Sequence, residues 1–299
     1  MRKRLVVAAL VVVAAALPAL LRSPYLLHIA VMSFLYVMLA QSLNLVLGYC
    51  GLLSLASPAF FGIGAYAGAL AALKLGWDTA LVVCGSAIAG ALAGAVIGYP
   101  SLRTSRHSFV IVTLSFALLL QLVALNWDDV TRGALGLSNI PPARFFGIEI
   151  RSGLGWYCVS AVAAAAAMAS TWLVSTSRFG RAMLATRDND VLALACGIDV
   201  FRTRLIAFCM SAALAALAGT LYAHYISYID PGVFGFSLSE TLLIMVILGG
   251  SATLWGPLFG AFIFTAVPEL LRLTPELRSL LYGAILLAVV LYRPRFVRL

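Results

Sequence analysis

Residues 248–257 read LGGSATLWGP, inside a run from Thr241 to Pro268 that contains no Asp, Glu, Lys or Arg. Gly costs ~1 kcal/mol and Pro ~3 kcal/mol in a helix interior, so Gly249, Gly250 and Pro257 break a segment otherwise apolar enough to be one helix. A break frees backbone carbonyls, and the helix N-terminus beside it favours a carboxylate. Non-helical backbone at membrane depth is tolerated only where protein buries it or where it lines a cavity. The break is therefore a candidate path for a solute, with Ser251 and Thr253 as polar lining, although such hydroxyls can equally bond a helix carbonyl.

A second stretch repeats the pattern. GLLSLASPAF, residues 51–60, aligns without gaps with GSATLWGPLF, residues 250–259: Gly51, Leu55, Pro58 and Phe60 fall on Gly250, Leu254, Pro257 and Phe259, and Ser54 on Thr253. Asn44, Ser54, Ser57 and Pro58 thereby join the candidate pathway residues. Interrupted segments in corresponding positions of two inverted halves mark a central pathway; coincidence in a Gly- and Leu-rich chain is the alternative.

Bond-making chemistry is not indicated. There is no HExxH, no GxSxG and no pair of acids within a span, and His28 and His224 have no carboxylate or second His at ligand spacing. Lys3 and Lys74, the two lysines, lie outside any GxxxxGK[ST], so a nucleotide that drives this chain is held by a partner. Cys50, Cys84, Cys158, Cys196 and Cys209 form no CxxC and read as packing residues. No cofactor or metal is called for, and the acidic or lysine residues typical of proton-coupled carriers are missing from the spans.

The elements that position these residues are membrane helices. Of 299 residues, 63% are hydrophobic and 10% charged, against ~25% charged in soluble domains; mean hydropathy is +1.04. Charge-poor runs occur at Leu5–Leu21, Ser23–Leu73, Thr79–Leu102, His107–Trp127, Ser152–Ser177, Leu205–Ile229, Thr241–Pro268 and Ser279–Tyr292. With ~20 residues per span, the second run holds two helices. The fold expected is all-α, a single polytopic transmembrane bundle over residues 1–299 with about 8–10 membrane segments, one broken or re-entrant.

The net charge of +9 lies between the apolar runs, which reads as topology and not as a nucleic-acid surface. Arg2, Lys3 and Arg4 place the N-terminus in the cytoplasm, before a first helix that reads as uncleaved because its apolar run is long and further spans follow at once; a cleaved signal peptide is the alternative. Arg103, Arg106 and the basic loop 178–204 then fall inside, and residues 126–151 outside, where Asp128, Asp129 and Glu149 offset Arg132, Arg144 and Arg151. Arg293, Arg295 and Arg298 also fall inside if the chain descends through Thr241–Leu248, turns at Gly249–Ser251 and returns through Pro257–Val267. Glu240, before that descent, reads as a helix-start residue. In the loop, Gly180–Cys196 reads as one helix on which Asp188 and Asp190 interrupt the basic surface, with Gly197 as its C-cap. Such a helix fits a partner's groove; a solvated loop is the alternative. Ser86, Gly90, Gly94 and Gly98, like Ser211, Ala215 and Gly219, recur every four residues as faces for close helix approach.

Four stretches together resemble the inner-membrane permease subunits of branched-chain amino acid ABC importers: SLNLVLGYCGLLSLASPAFFGIGAYAGAL (42–70), FVIVTLSFALLLQLVALNWDDVTRGALGLSNIPP (109–142), GRAMLATRDNDVLALACGIDV (180–200) and LYAHYISYIDPGVFGFSLSETLLIMVILGGSATLWGPLFGA (221–261). The resemblance implies a bacterial inner-membrane permease working by alternating access, with a second related permease, two cytoplasmic ATP-binding subunits and a periplasmic binding protein as partners, besides membrane lipid. It also implies that residues 181–197, with Arg181, Arg187, Asp188, Asp190 and Gly197, form the helix that couples to the ATPases. The chain departs from the family at Leu52-Leu53-Ser54-Leu55-Ala56-Ser57-Pro58, where Gln-Leu-Ser-Leu-Gly-His-Ala is usual, and at Leu118 and Gln121, where Glu and Arg are frequent. Those departures leave open a same-family permease for urea, short amides or another amino acid; an ion-coupled carrier and a purely structural subunit are the readings outside the family.

Overall fold

A computed structural model describes residues 23–145 and 147–270, with positions 274, 277, 280, 283, 284 and 287 beyond them. The helix expected over Leu5–Leu21, the basic residues at both termini and most of Ser279–Tyr292 lie outside the described residues.

The helices follow the apolar runs. α1 spans Pro24–Asn44 and continues as a π-helical turn over Leu45–Tyr49; α2 spans Ser57–Leu70 and ends in a second such turn, Ala71–Leu75. After these come α3 (Thr79–Ser101), α4 (Arg106–Asn126), the single turn α5 (Asp128–Thr131), α6 (Gly153–Thr176), α7 (Arg178–Asp188), α8 (Asp190–Ala195), α9 (Val200–Ile226), α10 (Phe236–Gly249) and α11 (Gly256–Leu270). Among the described residues, six segments are long and apolar enough to cross a membrane: α1 and α2 with their π turns, α3, α4, α6 and α9; α10 and α11 are shorter apolar helices. The expected all-α polytopic bundle is what forms. Starts are set locally: Asp78, Ser105, Ser152, Ser177, Asn189 and Asp199 each accept a hydrogen bond from the first turn of the following helix, worth ~1 kcal/mol apiece.

Two helices organise the packing. α1 is enclosed, with Val31, Val37, Leu39 and Ala40 fully buried. α9 lies between α2 and α3 on two faces of small residues. Gly90, Gly94 and Gly98 of α3 abut Ala216, Ala212 and Phe208, while Gly219 abuts the backbone of Phe61 in α2, so a side chain at any of these glycines would collide. This is the close approach that the four-residue spacing predicts. The outward faces of α3, α4 and α6 remain apolar, as at Val96, Ile111 and Val162, as a lipid-facing surface must.

Contacts between distant residues fix the helix directions. Tyr25 donates to the carbonyl of Glu269, Phe34 stacks edge-on against Phe262, and Gln41 donates to the carbonyl of Leu254, so α11 runs antiparallel to α1. His28 of α1 bonds Tyr225 of α9 at 2.8 Å, while at the other end Arg187 bonds Gly48 and Arg204 of α9 bonds Thr186 beside it, which sets α9 antiparallel to α1 as well. The loop 127–152 closes the Tyr25 end, where β1 (Leu137–Ser138) pairs with β4 (Tyr228–Ile229) and β2 (Arg144–Phe145) with β3 (Ile148–Glu149), both antiparallel.

Candidate functional site

The LGGSATLWGP stretch is the tip of a helical hairpin. α10 stops at Gly249, and Gly250 takes φ +110°, ψ 98°, a conformation that L side chains rarely adopt. Gly249 lies against the carbonyl of Gly256, and Gly260 against that of Met245, so α11 returns antiparallel along α10 towards the end from which the chain came. The chain reversal expected at Gly249–Ser251 is present. A Cβ on Gly250 would meet only Thr253 Oγ1, at an ordinary contact distance of 3.6 Å; the close approach belongs to Gly249 and Gly256, the positive φ to Gly250.

The earlier repeat matches in three dimensions. Gly51 has φ +67°, the positions from Gly51 to Ala56 are non-helical, and Pro58 is the second residue of α2, as Pro257 is of α11. Phe60 N–H bonds Ala56 O at 3.1 Å and Phe259 N–H bonds Trp255 O at 3.0 Å, the same bond in each copy. The expectation of inverted copies is corrected. α1 and α10 both run towards the Arg187 end, and α2 and α11 both run away from it, because each break joins a descending to an ascending helix.

At both breaks side chains bond part of the freed backbone. Asn44, fully buried, accepts from Ala252 N–H and donates to Thr253 O, both at 2.9 Å, while Gln41 donates to Leu254 O at 2.8 Å. Ala252 has φ +60°. In the first break, Leu55 donates to Thr113 Oγ1 at 3.2 Å and accepts from Ser239 Oγ at 3.2 Å. Thr253 Oγ1 accepts from Gly256 N–H, the first residue of α11, whereas Ser54 Oγ accepts from Ala56 N–H just before α2, which has no side-chain cap. Ser57 and Pro58 are buried at the start of α2, Pro257 is buried in α11, and Ser251 is half-buried in the tip. A cavity of about 110 Å³ lies nearer the Tyr25 end between α1, α10 and α11, lined by His28, Tyr36, Thr241, Thr265 and Glu269 among others; none of the pathway residues named from the sequence lines it.

The loop beyond the Arg187 end is two helices where one was expected over Gly180–Cys196. The chain is extended at Asn189 (φ −159°, ψ 116°), whose Oδ1 caps α8 through Val191 and Leu192. Asp190 Oδ1 receives Arg106 at 2.9 Å and Arg204 at 2.5 Å, and both guanidiniums also donate to Thr186 O. These bonds staple the α7–α8 junction to the starts of α4 and α9, and Arg187 adds the end of α1 by donating to Gly48 O at 2.7 Å. Asp188 is exposed at the end of α7, Arg181 is exposed, and Cys196 is the C-cap of α8, with Gly197, expected as the cap, one residue beyond it at φ +79°, where Ile198 N–H reaches Ala193 O.

Sequence reasoning missed Gln41, Thr113 and Ser239, which hold the breaks, and Val191, Leu192 and Leu194, which are 76%, 63% and 60% exposed on α8. The apolar run VLALA in an otherwise polar loop was the available signal for the latter. Of the two departures in α4, Leu118 lies on the outward surface and Gln121 is half-exposed.

Comparison with known proteins gives a consistent answer. The family described as "Branched-chain amino acid transport system / permease component" matches residues 25–290. The high-affinity branched-chain amino acid transport system permease protein LivM of Salmonella typhimurium is 32% identical over 98% of this chain and 74% of its own length, and its Escherichia coli counterpart matches equally. An autoinducer 2 import system permease protein, LsrC of Klebsiella pneumoniae, is 31% identical over 67% of this chain and 59% of its own length, so the kinship extends to permeases of another import system. No solved structure matches the chain. With a broken-helix hairpin held inside a multi-pass bundle, and with a family match across nearly all of the described residues, the chain belongs to the branched-chain amino acid transport system permease family.

Proposed function

We propose that this chain is a permease subunit of an ATP-driven importer in the bacterial inner membrane, passing branched-chain amino acids delivered by a periplasmic binding protein. A second, related permease completes the pathway, and two cytoplasmic ATP-binding subunits supply the power. The loop 178–204 faces the cytoplasm, in keeping with its excess of Arg.

The observation that carries the reading is the construction of that loop. It is bonded to α1, α4 and α9 through Arg187, Arg106 and Arg204, yet it turns Val191, Leu192 and Leu194 outward. A segment stapled to several spans and apolar on its free side suits a docked partner whose movement must reach the bundle. Residues 181–197 are the coupling segment in this reading, and Asn44, Ser54, Ser57, Pro58, Gly249, Gly250, Ser251, Thr253 and Pro257 form the movable breaks beside the pathway.

The test is reconstitution of the chain with its partner subunits in proteoliposomes. ATP- and binding-protein-dependent uptake of labelled leucine, isoleucine or valine is the expected result. ATPase stimulation by another ligand, with no branched-chain uptake, would replace the substrate and keep the importer. Uptake driven by an ion gradient without the ATP-binding subunits would replace the importer itself.

A further inference from the structure

Arg187 and the LGGSATLWGP tip meet at one residue, Gly48, in the turn that continues α1. On the loop side, Arg187 donates to Gly48 O at 2.7 Å, and its side chain packs where a Cβ on Gly51 would sit. On the hairpin side, Gly48 has no side chain where Ala252 N–H and Asn44 Oδ1 meet, and a Cβ there would displace both. The turn between them, Leu45–Tyr49, is π-helical, a form that recurs where a helix is adapted to function. Its late carbonyls lack the partners of a helix interior, which is why a guanidinium can take one.

We propose that Arg187 is a positioning residue for transport: by holding Gly48 it keeps the end of α1 in the form from which Asn44 clamps Ala252 and Thr253, so that displacement of α7 releases the hairpin tip. This rests on the importer reading above. Ala252 is held at φ +60°, a conformation that costs a non-glycine residue of order 1–3 kcal/mol and persists only where its surroundings impose it. The surroundings here are the two bonds to Asn44, one turn from the carbonyl that Arg187 grips. The tip is thus built to leave its present form when the clamp slackens, and the clamp's anchor is reached from the partner-facing loop.

Hydrogen exchange at the tip gives a readout that does not need the substrate to be known. In the purified complex, Arg187→Ala should accelerate exchange in a peptide covering 249–256 by roughly tenfold or more, the loss expected for a hydrogen bond to a charged donor. A peptide covering 86–98, on the α3–α9 contact, should not change. Arg187→Lys, which keeps one charged donor, should restore most of the protection and guard against a folding artefact. In proteoliposomes the alanine variant should hydrolyse ATP with less transport per ATP, while its ATP-binding subunits still co-purify. Unchanged exchange at 249–256 would overturn the proposal, and so would acceleration equal at 86–98. Loss of subunit co-purification with a protected tip would make Arg187 a docking residue only.

Discussion

Asn44 accepts a 2.9 Å hydrogen bond from the backbone N–H of Ala252, 208 residues further along the chain, and returns one of equal length to Thr253 O. One amide side chain thereby replaces the helical partners that two residues lose at the break.

Removing that side chain should cost more than removing any other polar pathway group named from the sequence. Asn44→Ala removes the side-chain partner of the Ala252 N–H and of the Thr253 C=O, two part-buried hydrogen bonds worth about 1 kcal/mol each. Ser54→Ala removes only a long bond from the Ala56 N–H, at 3.3 Å. Thermal unfolding in detergent should rank Asn44→Ala well below Ser54→Ala and the parent; equal midpoints would show that the clamp contributes nothing.

The glycines of the tip separate two effects. Gly250→Leu has room but forces an L residue to φ +110°, so uptake should fall further than membrane abundance. Gly249→Leu collides with the Gly256 carbonyl and should disrupt the hairpin itself. Gly94→Leu drives a side chain into Ala212 and should chiefly lower protein level, overpacking costing about 1–3 kcal/mol or more. Abundance and uptake measured on the same membranes distinguish the three, and normal uptake by Gly250→Leu would make the break a packing feature.

The two aspartates of the loop should behave differently. Asp190 holds Arg106 and Arg204, whose side chain is 10% exposed, so Asp190→Ala leaves a nearly buried guanidinium with only the Thr186 carbonyl and should destabilise the protein by about 1.5–3 kcal/mol, the range for hydrogen bonds to charged groups. Asp188 is exposed at the end of α7, and Asp188→Arg should leave folding intact while weakening recovery of the ATP-binding subunits. Detergent melting and co-purification read the two outcomes separately.

Replacing Val191, Leu192 and Leu194 together with Ser should abolish co-purification of the ATP-binding subunits with little change in abundance, since these side chains are 60–76% exposed and surface changes of this kind usually move stability by less than ~0.5 kcal/mol each. Retained co-purification would place the partner elsewhere.

Sidedness can be read from a native residue. Cys196 is exposed in the loop, so a variant keeping it as the sole cysteine should resist an impermeant thiol reagent in intact cells and react in inverted vesicles. Labelling from outside would invert the topology.

How far the sequence foretold this arrangement depended on the range of the interactions. Spans were legible because lipid demands long charge-free runs, and the run Ser23–Leu73 divided at the Gly/Pro pattern as expected. Caps such as Asp78 and Asp199 were local and in principle legible too. Gln41 and Asn44 were different: their partners lie more than 200 residues away, and nothing near them in the chain indicates which carbonyl they meet. The break at Asn189 also escaped, because Arg106 and Arg204 arrive from two other helices to hold Asp190. The sense of the two repeats cannot follow from local similarity, since it is set by the helices that precede and follow each copy.

The bonded backbone at the two breaks has an electrical consequence. Interrupted membrane helices offer water and ions a polar foothold, and a cell that stores energy as a transmembrane voltage cannot tolerate a wire through its permeases. Here Leu55 has both its N–H and its C=O taken by hydroxyls, and the Ala252 N–H and the Thr253 and Leu254 carbonyls are taken by amides. Each polar group occupied in this way is one fewer offered to water or an ion, which lowers the leak that a bend in a membrane helix would otherwise invite.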